Sequence, residues 1–105
     1  MSRTVLCLPA ASDMHLHLRQ SGMARAVAPF TARQCHRCLV MPNTSPAIEV
    51  GQQAADYKAF LQKLMPDVDI LTTIKLIPAT RPEHIREAAR MGVSAVKLYP
   101  DGVTT

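Results

Sequence analysis

Short apolar runs alternate with stretches of helical spacing along this chain, and that alternation constrains the fold more than any single motif. Cys38, Leu39, Val40 and Met41 form a continuous apolar run of the kind found in strands buried on both faces. It stops at Pro42-Asn43-Thr44-Ser45-Pro46, which is loop chemistry. A helix is predicted over 49–65, with Ala54, Tyr57, Leu61 and Leu64 on one stripe and Pro66 ending it. Residues 69–77 read as the next strand. Thr80-Arg81-Pro82-Glu83 then fits a capping box, with Thr80 as N-cap and Pro82 in the first turn. Ile85, Ala88 and Ala89 line the buried side of the helix that follows. Gly92 stands where a helix end favours a left-handed residue, and 93–98 reads as another strand.

Upstream, 4–8 suggests a short lead-in strand ended by Pro9, and 12–18 a first main strand. Residues 23–34 have helical spacing, with Val27, Phe30 and Gln34 on one side and Pro29 weakening the start. The order strand, helix, strand, helix, strand, helix, strand predicts an α/β protein with a parallel sheet and crossover helices. In such a sheet the strand ends that carry His17, Asn43 and Lys97 all open on one side, where active sites are built.

The first main strand contains Asp13-Met14-His15-Leu16-His17-Leu18-Arg19. Side chains alternate faces along a strand. Met14, Leu16 and Leu18 can therefore pack under helices, while Asp13, His15, His17 and Arg19 share the other face. Two histidines at i and i+2 lie within reach of one divalent metal, zinc being the usual case. A solvent-facing strand with a chance His-x-His would look the same over these residues alone.

Composition narrows the rest. A chain of 105 residues fits one small domain, and 48% hydrophobic content suffices for an aliphatic core. The net charge of +4 comes from scattered residues, so no nucleic-acid footprint is expected. Cys7, Cys35 and Cys38 are an odd number and suggest no disulfide framework; the CxxC at 35–38 reads as ordinary thiols. No segment suits a membrane span or a signal peptide, which points to a cytoplasmic setting. There is no GxGxxG and no P-loop.

Lys97, in Ala95-Val96-Lys97-Leu98, is costly near the end of an apolar strand unless its amine finds solvent, a partner or a modification. It either snorkels outward or faces the pocket of His15 and His17, where an amine can take up CO2 as a bridging carbamate. Spacing leaves both open. Lys75, also within a strand, is given no chemistry.

Three motifs in order, D-M-H-L-H-L-R (13–19), M-P-N-T (41–44) and V-K-L-Y-P-D-G-V-T-T (96–105), resemble the start of a dihydroorotase of the stand-alone bacterial and fungal type, within the amidohydrolase superfamily. The resemblance runs over essentially the whole chain. It implies that residues 1–105 are the N-terminal portion, about four βα units, of a (β/α)8 TIM barrel, truncated after the fourth main strand. It implies two Zn2+ ions per complete site, with His15 and His17 on the more buried ion. Lys97 would be the N6-carboxylysine that bridges both ions and forms with CO2. Arg19 and Asn43 would hold the substrate carboxylate, and Thr104 and Thr105 would belong to a loop closing over substrate. The same likeness implies a supporting role for Asp13.

The implied reaction interconverts dihydroorotate and N-carbamoyl-L-aspartate in pyrimidine synthesis, in a homodimer that needs neither nucleic acid nor membrane. Further ligands of such a site, two histidines and the acid/base aspartate, are expected beyond Thr105; His36 and His84 match none of them. No catalytic acid/base is therefore identified in the chain, and residues 1–105 alone are expected to be inactive. Other cyclic-amide hydrolases, such as hydantoinases or allantoinases, and a non-catalytic metal- or partner-binding fragment remain the alternatives.

Overall fold

The computed structural model describes residues 2–100. Its elements run β1 (Ala11–Leu16), α1 (Ser21–Gln34), β2 (Cys35–Val40), α2 (Gly51–Leu64), β3 (Asp69–Lys75), α3 (Pro82–Arg90) and β4 (Ala95–Lys97). The four strands form one sheet in the order β1-β2-β3-β4, and every pairing is parallel. This is the predicted α/β alternation. The strand expected over 4–8 does not form. Residues 2–10 are exposed and without regular structure, because that stretch has no partner strand to pair its backbone.

The core lies between the sheet and the helices. Ile70, Thr72 and Ile74 of β3 are buried, as are Cys38 and Val40 of β2. Ala54, Tyr57 and Leu61 of α2 pack over them, with Leu64 at the margin. On α1 the buried residues are Ala24 and Ala28, while Phe30 is 59% exposed with the Arg33 guanidinium stacked 4.8 Å from its ring. The expected Val27–Phe30–Gln34 stripe is thus off by a fraction of a turn. Small alanines face inward and let the helix sit close.

Two helix starts differ from simple capping rules. At α2, the Gln53 Oε1 accepts the backbone N–H groups of Glu49 (2.8 Å) and Val50 (3.1 Å). At α3, the N-cap is Arg81, and its N–H donates to His84 Nδ1 at 3.0 Å. Thr80 instead closes the preceding turn by accepting the Ile77 N–H at 2.9 Å. His84 takes the role assigned to Glu83 because the helix begins one residue later than Thr80 implied. Ala88 is buried and Ile85 half-buried, but Ala89 is exposed. Gly92 is left-handed, with φ +86°.

Helices α2 and α3 meet at Gly51. A Cβ there would stand 2.9 Å from Ala88 Cα and 3.0 Å from Met91 Sδ, so the absent side chain sets their approach. The chain then returns to the sheet through Val93 N–H to Ala88 O (2.9 Å) and Ser94 N–H to Thr72 O (3.0 Å). Among the described residues no helix is long and apolar enough to cross a membrane.

Candidate metal and carboxylate site

All four strands are parallel, so their C-terminal ends face one side. That side receives the residues following β1 and β2 and the last residues of β3 and β4. His15 lies within β1, with His17 just past its end. Leu18 is buried at 2% exposure and anchors the strand end, Leu16 is half-buried, and Met14 is 52% exposed. The amphipathic split of the strand therefore sharpens toward its C-terminus. The β1–β2 register slips between Asp13 and Leu16. There the Asp13 carboxylate accepts the His15 backbone N–H at 3.1 Å, so Asp13 supports the very turn of chain that presents His15.

The Nε2 atoms of His15 and His17 lie 3.3 Å apart. Two imidazole nitrogens on one tetrahedral zinc, each about 2.0–2.1 Å from the ion, stand about 3.3–3.4 Å apart. The donor set and its spacing fit such an ion. Burial first, then the charges of Lys97, His15 and Arg19, hold His17 below the usual imidazole range, favouring the neutral form that binds metals. Among the described residues no third His, Cys, Asp or Glu joins the pair.

Lys97 ends β4 and does not point away from the other groups. Its Nζ donates to Asn43 Oδ1 at 3.1 Å and lies 5.5 Å from the centre of the Tyr99 ring. Asn43 keeps its amide N–H groups as donors. Next to these residues is a cavity of about 330 Å³, lined among others by Arg19, Asn43, Lys75 and Tyr99. Arg19 and Asn43 therefore share one pocket. Thr104 and Thr105 lie outside the described residues.

The supports of this pocket were not foreseen from the sequence. Arg19 has φ 60°, a left-handed backbone uncommon in a residue with a side chain. The buried Tyr57 of α2 donates its hydroxyl to the Arg19 carbonyl at 2.6 Å. Burial pushes that phenol up to about 12. Gln20 bridges to the next loop, accepting the Ser45 N–H at 2.8 Å and donating to the Ser45 carbonyl at 3.3 Å. The loop carries a cis Ser45–Pro46 bond. Lys75, expected to have no chemistry, lines the pocket. Its one visible signal was its place at the end of β3, matching that of Lys97 in β4.

The other candidates take structural places. His36 Nδ1 is 2.7 Å from the Ala10 carbonyl, and His84 caps α3. All three cysteines are free; Cys38 is buried, which pushes its thiol up to about 11.

No family model matches the chain. A dihydroorotase of Neisseria gonorrhoeae is 44% identical over 96 residues, covering 89% of this chain and 28% of that protein. This chain is homologous to the dihydroorotases. The Mycosarcoma maydis dihydroorotase is 42% identical over 106 residues, covering 100% of this chain and 27% of its own length. The Saccharomyces cerevisiae dihydroorotase, solved in complex with 5-fluoroorotic acid, superposes with a TM-score of 0.84 at 36% identity, over 91% of this chain and 27% of that one. The chain spans little more than a quarter of the dihydroorotases it matches. Its four parallel strands and their helices correspond to the N-terminal part of the TIM barrel in dihydroorotase structures.

Proposed function

We propose that this chain carries part of the active site of a dihydroorotase, which opens and closes the cyclic amide of dihydroorotate with N-carbamoyl-L-aspartate as the open form. The observation that carries the reading is that two imidazole Nε2 atoms 3.3 Å apart, the Lys97–Asn43 pair and Arg19 all stand at the C-terminal end of one parallel sheet. His15 and His17 would hold one metal ion, zinc by ligand chemistry. Lys97, after its amine adds to CO2 with loss of a proton, would offer two carbamate oxygens to a metal pair. When bound, such metal ions would supply Lewis acidity toward the ring carbonyl and toward a water.

The chain's own residues do the holding. The Arg19 guanidinium offers a planar fork to the carboxylate that dihydroorotate carries. Asn43 donates its amide N–H groups to the same anion while its oxygen orients the Lys97 amine. Asp13 fixes His15 through the backbone. The 5-fluoroorotic acid bound by the yeast relative bears a carboxylate of the same kind, which supports this assignment. The expected setting of the whole enzyme is a cytoplasmic homodimer.

The test is metal titration of the chain with 13C-labelled bicarbonate present. The expected result is zinc binding, reported by shifts of the His15 and His17 ring signals, with a carbamate carbon signal that Lys97→Ala abolishes. Zinc binding unaffected by His15→Ala together with His17→Ala would overturn the reading.

A further inference from the structure

We propose that Lys75 is a second cation for the substrate carboxylate and makes this pocket select for an anion; this rests on the reading of Arg19 and Asn43 given above. Lys75 and Lys97 are register partners across the parallel β3–β4 pair, so their side chains leave the sheet on one face. Both ammonium groups meet the same ring, Lys75 Nζ at 4.6 Å from the centre of Tyr99 and Lys97 Nζ at 5.5 Å. They then part in function. Lys97 turns to Asn43 Oδ1, whereas Lys75 lines the cavity that holds Arg19 and Asn43.

The backbone fixes Lys75 in that place. Its N–H donates to the Ile48 carbonyl at 2.7 Å, and the Leu76 N–H donates to the Lys97 carbonyl at 2.9 Å. The end of β3 is thus tied both to the loop carrying Asn43 and to β4. A half-buried ammonium against an aromatic face is held in position by that ring. Among the described residues, the lining of the cavity contributes the cations Arg19 and Lys75 and no carboxylate side chain. A lone cation would bind an anion; two cations flanking an amide donor discriminate strongly against the same ring without its charge.

The probes are 5-fluoroorotate and 5-fluorouracil, which differ only by the carboxylate, followed by fluorine NMR on the chain. Backbone amide spectra check the fold of each variant. The chain should hold 5-fluoroorotate at least about tenfold more tightly than 5-fluorouracil, the scale of one charge-assisted contact. Lys75→Gln should remove about tenfold from 5-fluoroorotate and leave 5-fluorouracil unchanged. Lys75→Met, which keeps the stem against Tyr99, should match that loss, and Lys75→Arg should restore binding. If Lys75→Gln and Lys75→Met leave 5-fluoroorotate affinity within about twofold while Arg19→Gln lowers it, Lys75 has no such role and the reading of Arg19 stands. If the folded chain does not prefer 5-fluoroorotate at all, both fall.

Discussion

The Tyr57 hydroxyl donates a 2.6 Å hydrogen bond to the carbonyl of Arg19, the residue whose φ of 60° turns the chain out of β1. A core tyrosine on α2 therefore holds the backbone of a candidate carboxylate binder on another βα unit. Tyr57→Phe removes the donor and leaves that carbonyl without it. A loss of about 1–2 kcal/mol is expected in urea unfolding. Binding of 5-fluoroorotate should weaken as well, since the Arg19 backbone loses its tether.

Gln20 ties the loop after β1 to the loop after β2 through both its amide atoms. Gln20→Ala should speed hydrogen exchange at the Ser45 amide by about tenfold or more, while amides of β3 keep their rates. Gln20→Glu retains the acceptor and loses the donor, so its Ser45 amide should stay nearer the parent rate.

Two glycines give opposite outcomes. Gly51→Ala puts a methyl 2.9 Å from Ala88 Cα, a backbone atom that cannot swing away. A destabilisation of about 1–3 kcal/mol is expected. A Cβ at Gly22, in the first turn of α1, would meet nothing within 4 Å. Gly22→Ala should be neutral or stabilise by up to about 1 kcal/mol. Thermal melts of the two variants, one below and one at or above the parent, check both.

Burial raises the Cys38 thiol from 9.0 to about 11 and the Tyr57 phenol from 10.0 to about 12. The fold favours the neutral form of each, so the unfolded chain releases these protons first as pH rises. The stability tied to them is complete below about pH 9 and is lost progressively toward pH 11–12. Denaturant midpoints measured from pH 8 upward should fall across that window, and Cys38→Ala should remove its lower part. Thiol labelling at pH 8 should modify exposed Cys7 well before Cys38.

Much of this was legible because it is periodic. The Ala54–Tyr57–Leu61 stripe and the Gly92 turn are local signals and appear as read, whereas the strand read at 38–41 begins earlier, at Cys35, and ends at Val40. His15 and His17 come together as the alternation suggested, although His17 lies just past the end of β1. What could not be read depends on contacts distant in sequence. Tyr57 reaches Arg19, and Gln20 reaches Ser45, across whole βα units, and neither pairing leaves a local pattern. The start of α3 failed for a different reason. His84 and Glu83 can both cap a helix, and only the exact first residue decides between them. Lys75 looked idle because its value comes from the partner opposite it in β4.

The sheet order has a consequence for the distances in the site. The histidine pair rides on β1 and Lys97 on β4, the two strands that have a single neighbour among the described residues. On a flat sheet three interstrand steps of about 4.8 Å would hold these groups about 14 Å apart. Yet the Lys97 amine already reaches Asn43, on the loop after β2, at 3.1 Å. Asn43 follows β2, two strands from β4, so that single bond bridges two of the three steps across the sheet. A core substitution under β2 or β3 that shifted these strand ends against each other would lengthen that bond and change the reach of Lys97 with no change to Lys97 or Asn43 themselves.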